Sequence, residues 1–121
     1  MKNPFRILGI DASLRSTGVG IIDVLGTRLV PVMHQTIKAP SLPHSKALLQ
    51  LHEKITAIAA EFKPVAAAIE SVFFCRNIKT ALTLGEARGV IIASCTREGL
   101  PLYEYEPRKI KLAVVGFGSA S

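Results

Sequence analysis

The chain has 121 residues, 49% apolar and 20% charged, and its 15 Lys plus Arg against 9 Asp plus Glu give a net charge of +6. That length admits one domain and excludes a two-domain enzyme, and the apolar content excludes a disordered chain. No apolar run approaches the roughly 20 residues of a membrane span, and Met1 to Phe5 contains no apolar segment before a cleavage site, so the expectation is a cytoplasmic protein with no membrane partner.

Gly26, Pro40 to Pro43, Pro64, Gly99 to Pro101 and Pro107 divide the chain, because these residues turn it or end its regular elements. Arg6 to Ile10 is a short apolar run ending on Asp11, and Val19 to Val24 is rich in β-branched residues. Both read as strands joined by a polar turn. Thr27 to Ile37 supplies a third strand. Connections this short make the three an antiparallel meander, since parallel neighbours need a crossover of about a dozen residues. Between Ser45 and Phe62, the residues Leu48, Leu51, Ile55, Ile58 and Phe62 step by three and four onto one helix stripe, which Pro64 ends.

Val65 to Ile69 then runs apolar into Glu70, the pattern of a strand buried on both faces. Asn77 is placed to cap a second helix running to about Glu98, with Gly99 at its C-terminal end. Leu102 to Tyr105 reads as a fifth strand, and Pro107 suits the first turn of a third helix leading into Gly116-Phe117-Gly118. The fold class is α/β: a mixed five-stranded sheet, an antiparallel meander followed by parallel strands, with helices on both faces. The sequence stops at Ser121 in a Gly/Ser loop, so the expectation over residues 1 to 121 is a single domain cut short at its C-terminus.

Cys75 and Cys95 lie twenty positions apart with no second pair, and read as reduced thiols. His34, His44 and His52 lack metal-ligand spacing and read as surface or loop residues. Two acids differ from the rest. Asp11 ends the first strand and Glu70 the fourth, each behind apolar residues, and a carboxylate at the end of a buried strand costs free energy unless a cation or hydrogen bonds compensate. If both strands are central, the two acids converge at one sheet edge and can share a hard divalent cation. The plain alternative is that each caps a turn. The basic balance, with a pI near 9.7, favours a polyanionic partner.

Four motifs occur in order: Gly9-Ile10-Asp11-Ala12-Ser13-Leu14-Arg15-Ser16-Thr17-Gly18-Val19-Gly20; Ala68-Ile69-Glu70-Ser71-Val72-Phe73; Ala81-Leu82 with Leu84-Gly85-Glu86-Ala87-Arg88-Gly89; and Val114-Val115-Gly116-Phe117-Gly118-Ser119-Ala120. Together they closely resemble the RuvC-type Holliday junction resolvases, from about Arg6 to the last residue. The resemblance implies an RNase H-like fold, a homodimer, partnership with a branch-migration helicase complex, and magnesium-dependent cleavage of four-way junction DNA in recombination and repair. It implies two magnesium ions per site, replaceable by manganese, with Asp11 and Glu70 as catalytic and metal-binding carboxylates. Phe73 matches the aromatic that stacks on bases at the junction; Lys111 matches a basic residue on the DNA side, flanked by Arg108 and Lys109.

Arg76 and Lys79 extend that basic cluster after the fourth strand. The small residues Ala81, Gly85, Gly89 and Ala93 recur every four positions on the second helix. They leave a stripe that lets a backbone approach closely, either a partner helix, as the resemblance favours, or the domain's own sheet. The sequence departs from the family in two places. Ala12-Ser13 stands where resolvases commonly carry Pro-Gly after the aspartate, and two further catalytic aspartates implied by the family fall beyond Ser121, so the chain alone is expected to lack activity. An actin-like ATPase or sugar kinase opens on a similar strand-turn-strand but closes two domains around its nucleotide. A non-catalytic junction-binding fragment derived from a resolvase is the other alternative, against which the retention of both carboxylates counts.

Overall fold

The computed structural model describes residues 5–70 and 77–105. The helix expected after Pro107 and the Gly116–Gly118 segment lie outside them. The elements in chain order are β1 (Phe5–Asp11), β2 (Ser16–Leu25), β3 (Arg28–Lys38), α1 (His44–Phe62), β4 (Ala66–Glu70), α2 (Ile78–Arg97) and β5 (Leu102–Tyr105). They build a five-stranded sheet in the order β3-β2-β1-β4-β5. The first three strands are antiparallel, and β4 and β5 add in parallel beyond β1. This is the mixed sheet expected from the spacing.

The hairpin between β2 and β3 is a two-residue turn, and its first residue, Gly26, sits at φ +63°, a left-handed conformation open to glycine without steric cost. Pro31 falls inside β3 opposite Ile22, next to a register shift between Ile21 and Ile22. An edge strand tolerates it, because there a missing N–H leaves no second neighbour unpaired.

The crossovers from β3 to β4 and from β4 to β5 step across the sheet in the same direction. Right-handed crossovers then set both helices on one face. Leu8, Ile10, Val19, Ile21, Ala67 and Ile69 point to that face and pack against Leu51, Ile55 and Ile58 of α1 and Ala87, Ile91 and Cys95 of α2. By alternation the other face carries Ile7, Ile22, Ala66 and Ala68, and no described helix covers it. The expectation of helices on both faces therefore rests on the segment after Pro107.

The helix ends follow local chemistry. Pro43 precedes α1 without a side-chain cap, whereas the Asn77 side chain accepts the Thr80 N–H at 2.8 Å and caps α2 as its sequence suggests. At the other end of α2, Gly99 at φ +77° donates to the Thr96 carbonyl and Leu100 to the Cys95 carbonyl, the paired bonds of a Schellman cap. His52 and Ser94 tie the helices together at 2.8 Å. Since the Ser94 hydroxyl donates to the Val90 carbonyl, the His52 Nδ1–H is the donor to Ser94. His44 meets Glu86 at 2.9 Å on the surface. Both histidines have structural partners among the described residues. Cys95 is a free, buried thiol, pushed up to about 11 by desolvation; Cys75 lies outside the described residues. Among the described residues, no helix is long and apolar enough to cross a membrane.

One polar contact joins three elements at the far end of the sheet. The Arg6 guanidinium grips Asp23 with bonds of 2.7 and 2.9 Å and donates a third, of 3.0 Å, to the Phe62 carbonyl at the end of α1. Hydrogen bonding from Arg6 holds the Asp23 carboxyl below the usual carboxylate range, against the opposing effect of burial. A depressed folded value means that the pair adds stability above the ordinary Asp value of about 3.9 and loses it as pH falls through the folded value. Denaturant unfolding followed from about pH 6 down to about pH 2 should show this loss. Asp23→Asn, which cannot ionise, should lack that part of the dependence, and superimposable profiles for the two proteins would overturn the assignment.

Candidate active site

Asp11 and Glu70 meet because β1 and β4 are parallel neighbours. Ile10 pairs with Ile69, both wholly buried, so the next residue of each strand is a carboxylate at the same edge and on the same face. Asp11, Glu70, Ala12 and Leu84 line one small cavity of about 50 Å³. Both acids are half-buried there. On the other side Asp11 pairs with Gly18 of β2. A Cβ added to Gly18 would stand 3.6 Å from the Asp11 Cβ, so glycine keeps the space beside the carboxylate open.

The turn after Asp11 holds its shape without the Pro-Gly common in the resemblance. Thr17, wholly buried, donates its hydroxyl to the Ser13 carbonyl and accepts the Ser13 N–H at 3.3 Å. Arg15 bolts the same turn to the loop before α1 with bonds to the Ala39 and Leu42 carbonyls at 2.8 and 2.5 Å. Two side-chain staples thus replace a covalently restricted turn, and Asp11 remains within β1.

Beside the carboxylates lies an open groove of about 390 Å³, lined by Ala12, Ser13 and Leu14 of the turn and by Lys79, Thr80, Thr83 and Leu84 of α2. Ala12 and Leu84 belong to both cavities, so the groove leads to the acids. Of the residues expected at DNA, Lys79 is thereby brought to the site, on the first turn of α2. Phe73, Arg76, Arg108, Lys109 and Lys111 fall outside the described residues. Ala81, Gly85, Gly89 and Ala93 are all exposed, and a Cβ at Gly85 or Gly89 would meet nothing within 4 Å. The domain's own sheet does not cover this stripe; Ala87, Ile91, Ser94 and Cys95 take the inward face of α2.

Two site residues sat in the sequence without a role. Leu84 walls the carboxylate cavity, and Arg88 donates to the Glu70 carbonyl through Nη1 and to Glu104 Oε1, 2.5 Å away, through Nη2. Their spacing of four, in step with buried Ala87 and Ile91, was the available signal that they face the sheet rather than solvent.

The geometry has counterparts among known proteins. The model of the crossover junction endodeoxyribonuclease RuvC family matches residues 7–121. The protein of that name from Thermotoga petrophila is 39% identical over 117 residues, spanning 96% of this chain and 71% of its own length. The one from Myxococcus xanthus is 45% identical over 116 residues, spanning 95% of this chain and 60% of its own. In three dimensions, the structure of Thermus thermophilus RuvC in complex with Holliday junction substrate superposes with a TM-score of 0.80 at 24% identity, covering 88% of this chain and 68% of that one. The fold is the RNase H-like sheet that such resolvases share, and with its family model matched from β1 to the last residue the chain belongs to the crossover junction endodeoxyribonuclease RuvC family.

Proposed function

We propose that the chain is a structure-specific endonuclease that resolves four-way DNA junctions by metal-dependent phosphodiester hydrolysis, acting in the cytoplasm in recombination and repair. The observation that carries this reading is the pairing of β1 with β4, which sets Asp11 and Glu70 in the wall of one cavity at the end of a groove. Paired carboxylates are the hard oxygen donors that magnesium takes, and manganese serves in its place. The donor set fits the cation as two of its ligands. Among the described residues no group of three or more His, Cys, Asp or Glu is gathered for a metal.

Bound there, a pair of magnesium ions would supply an activated water and charge stabilisation for the departing 3′ oxygen. The protein's own residues do the rest. Asp11 and Glu70 would hold the cation. Lys79 offers positive charge to a neighbouring phosphate in the groove, and Ser13, Thr80 and Thr83 line the same path. Phe73 stacks on an unpaired base at the junction, with Arg76, Arg108, Lys109 and Lys111 as backbone contacts, by resemblance. These 121 residues carry two of the four carboxylates that the resemblance implies. A homodimer through the exposed α2 stripe matches the two-fold symmetry of a four-way junction; the resemblance adds a branch-migration helicase complex as partner. Retention of both acids in one cavity weighs against a purely non-catalytic binding fragment.

Magnesium or manganese titrated into the parent should bind, and Asp11→Asn and Glu70→Gln should each weaken binding by more than the roughly 10–100-fold typical of losing a ligand's outer partner. Parental affinity in both variants would refute a shared site. Gly89→Leu, which puts a bulky side chain on the exposed stripe, should lower the light-scattering mass from dimer to monomer; the same mass in both proteins would count against that interface. Gel shifts with calcium in place of magnesium should show preference for a four-way junction over linear duplex. Affinity should fall on the order of tenfold or more from low to physiological salt, as counterion release requires when several phosphates are engaged. Equal affinity for junction and duplex in a confirmed dimer would overturn junction recognition, and strand cleavage by the 121-residue chain in magnesium would overturn the need for further carboxylates.

A further inference from the structure

We infer that Arg88 is a positioning residue for the carboxylate site, holding the main chain of Glu70 while Glu104 balances its charge. The inference rests on the metal reading of Asp11 and Glu70 and deepens it by naming what aims one of the two ligands.

The β1–β4 ladder ends at Ile10 and Ile69, one residue short of Glu70. Beyond that point the β1 register no longer holds Glu70, whose ladder partner is Tyr105 of β5, so a contact that fixes this strand end also fixes where the Glu70 side chain starts relative to Asp11. The Glu70 carbonyl accepts Arg88 Nη1 there. The second arm of the guanidinium reaches Glu104 Oε1 of β5 at 2.5 Å, so one rigid fork spans the ends of two neighbouring strands. The Arg88 side chain is only 14% exposed, against 56% for Glu104. It is held from behind by α2, whose Ala87 and Ile91 are wholly buried in the core. One turn earlier on the same helix, Leu84 walls the cavity, so the element that shapes the cavity also pins its ligand.

Arginine suits this task for two reasons. Its planar fork presents donors in fixed directions, which a lysine ammonium does not. A bare guanidinium beside two carboxylates would compete with the cation they are to hold; Glu104 offsets that charge, so the clamp fixes the ligand's backbone without opposing the metal.

Manganese binding, read from the EPR signal of the free ion, tests this on the parent, Arg88→Gln, Arg88→Lys, Glu104→Gln and Asp11→Asn. Circular dichroism in parallel confirms that each variant is folded at the assay temperature. Arg88→Gln should weaken manganese binding by roughly 10–100-fold, the effect of losing a ligand's outer partner, with Arg88→Lys between it and the parent. Glu104→Gln leaves the guanidinium charge uncompensated and should weaken binding in a way that added salt partly reverses. A merely structural role would lower the melting midpoint and leave the affinity of the folded protein unchanged, so parental affinity in folded Arg88→Gln overturns the inference. Should Arg88→Gln fail to fold, Glu104→Gln decides, because its carboxylate is on the surface; parental affinity and salt dependence there overturn the inference equally. Loss of binding in Asp11→Asn with none in the Arg88 and Glu104 variants refutes the positioning role alone. Parental binding in Asp11→Asn refutes the metal reading beneath it.

Discussion

The parallel pairing of β1 with β4 is the constraint on which the site depends. Antiparallel neighbours would put the ends of these strands at opposite edges of the sheet, and no choice of side chains would bring Asp11 near Glu70. Parallel pairing requires a crossover, and α1 provides it. That helix exists because its apolar residues form one stripe, and it returns the chain to the sheet because Leu51, Ile55 and Ile58 bury against the central strands. Core packing therefore sets the distance between the acids.

Around that pairing, the polar contacts are distributed by end. At the N-terminal end of the sheet, Arg6 satisfies Asp23 and the last carbonyl of α1, a pair that serves the fold. At the C-terminal end, Thr17, Arg15 and Arg88 donate hydrogen bonds to main-chain carbonyls, beside the cavity that Asp11 and Glu70 line. The contrast separates two kinds of charge. Asp23 has a bidentate cation from its own chain, whereas the Arg88 guanidinium is directed to the Glu70 backbone and to Glu104.

The sequence was most legible where periodicity is strong. The meander, both helices, the Asn77 cap and the short fifth strand follow from apolar spacing and end signals, and observed bounds differ by a few residues at most, as at β2, which starts at Ser16 rather than Val19. The two acids were legible as strand-end carboxylates, and their pairing followed from the expected strand order. Less visible was which side of α2 faces inward. Its small residues and its buried residues both recur at about helical spacing, and Ile78 and Leu82, apolar and one turn apart, are 78% and 65% exposed. Only the docked helix shows that Ala87, Ile91 and Cys95 win the core. The spacing of Arg88 with Leu84, Ala87 and Ile91 marks its inward side, but spacing does not tell that so long a side chain reaches under the helix to a strand end.

The turn after Asp11 shows how different local chemistry reaches the same placement. Proline narrows the unfolded ensemble of a turn before any contact forms, and glycine enters turn conformations without steric cost, while Ala12-Ser13 has neither and is ordered by bonds made on folding. Thr17 and Arg15 make those bonds, and each reaches beyond the turn, Thr17 into the core-facing side of β2 and Arg15 to the loop that launches α1. Ordering of the turn after Asp11 is thereby tied to completion of the sheet and to the docking of the first helix. In a turn of proline and glycine the carboxylate's position would depend mainly on local backbone; here it depends on three elements at once.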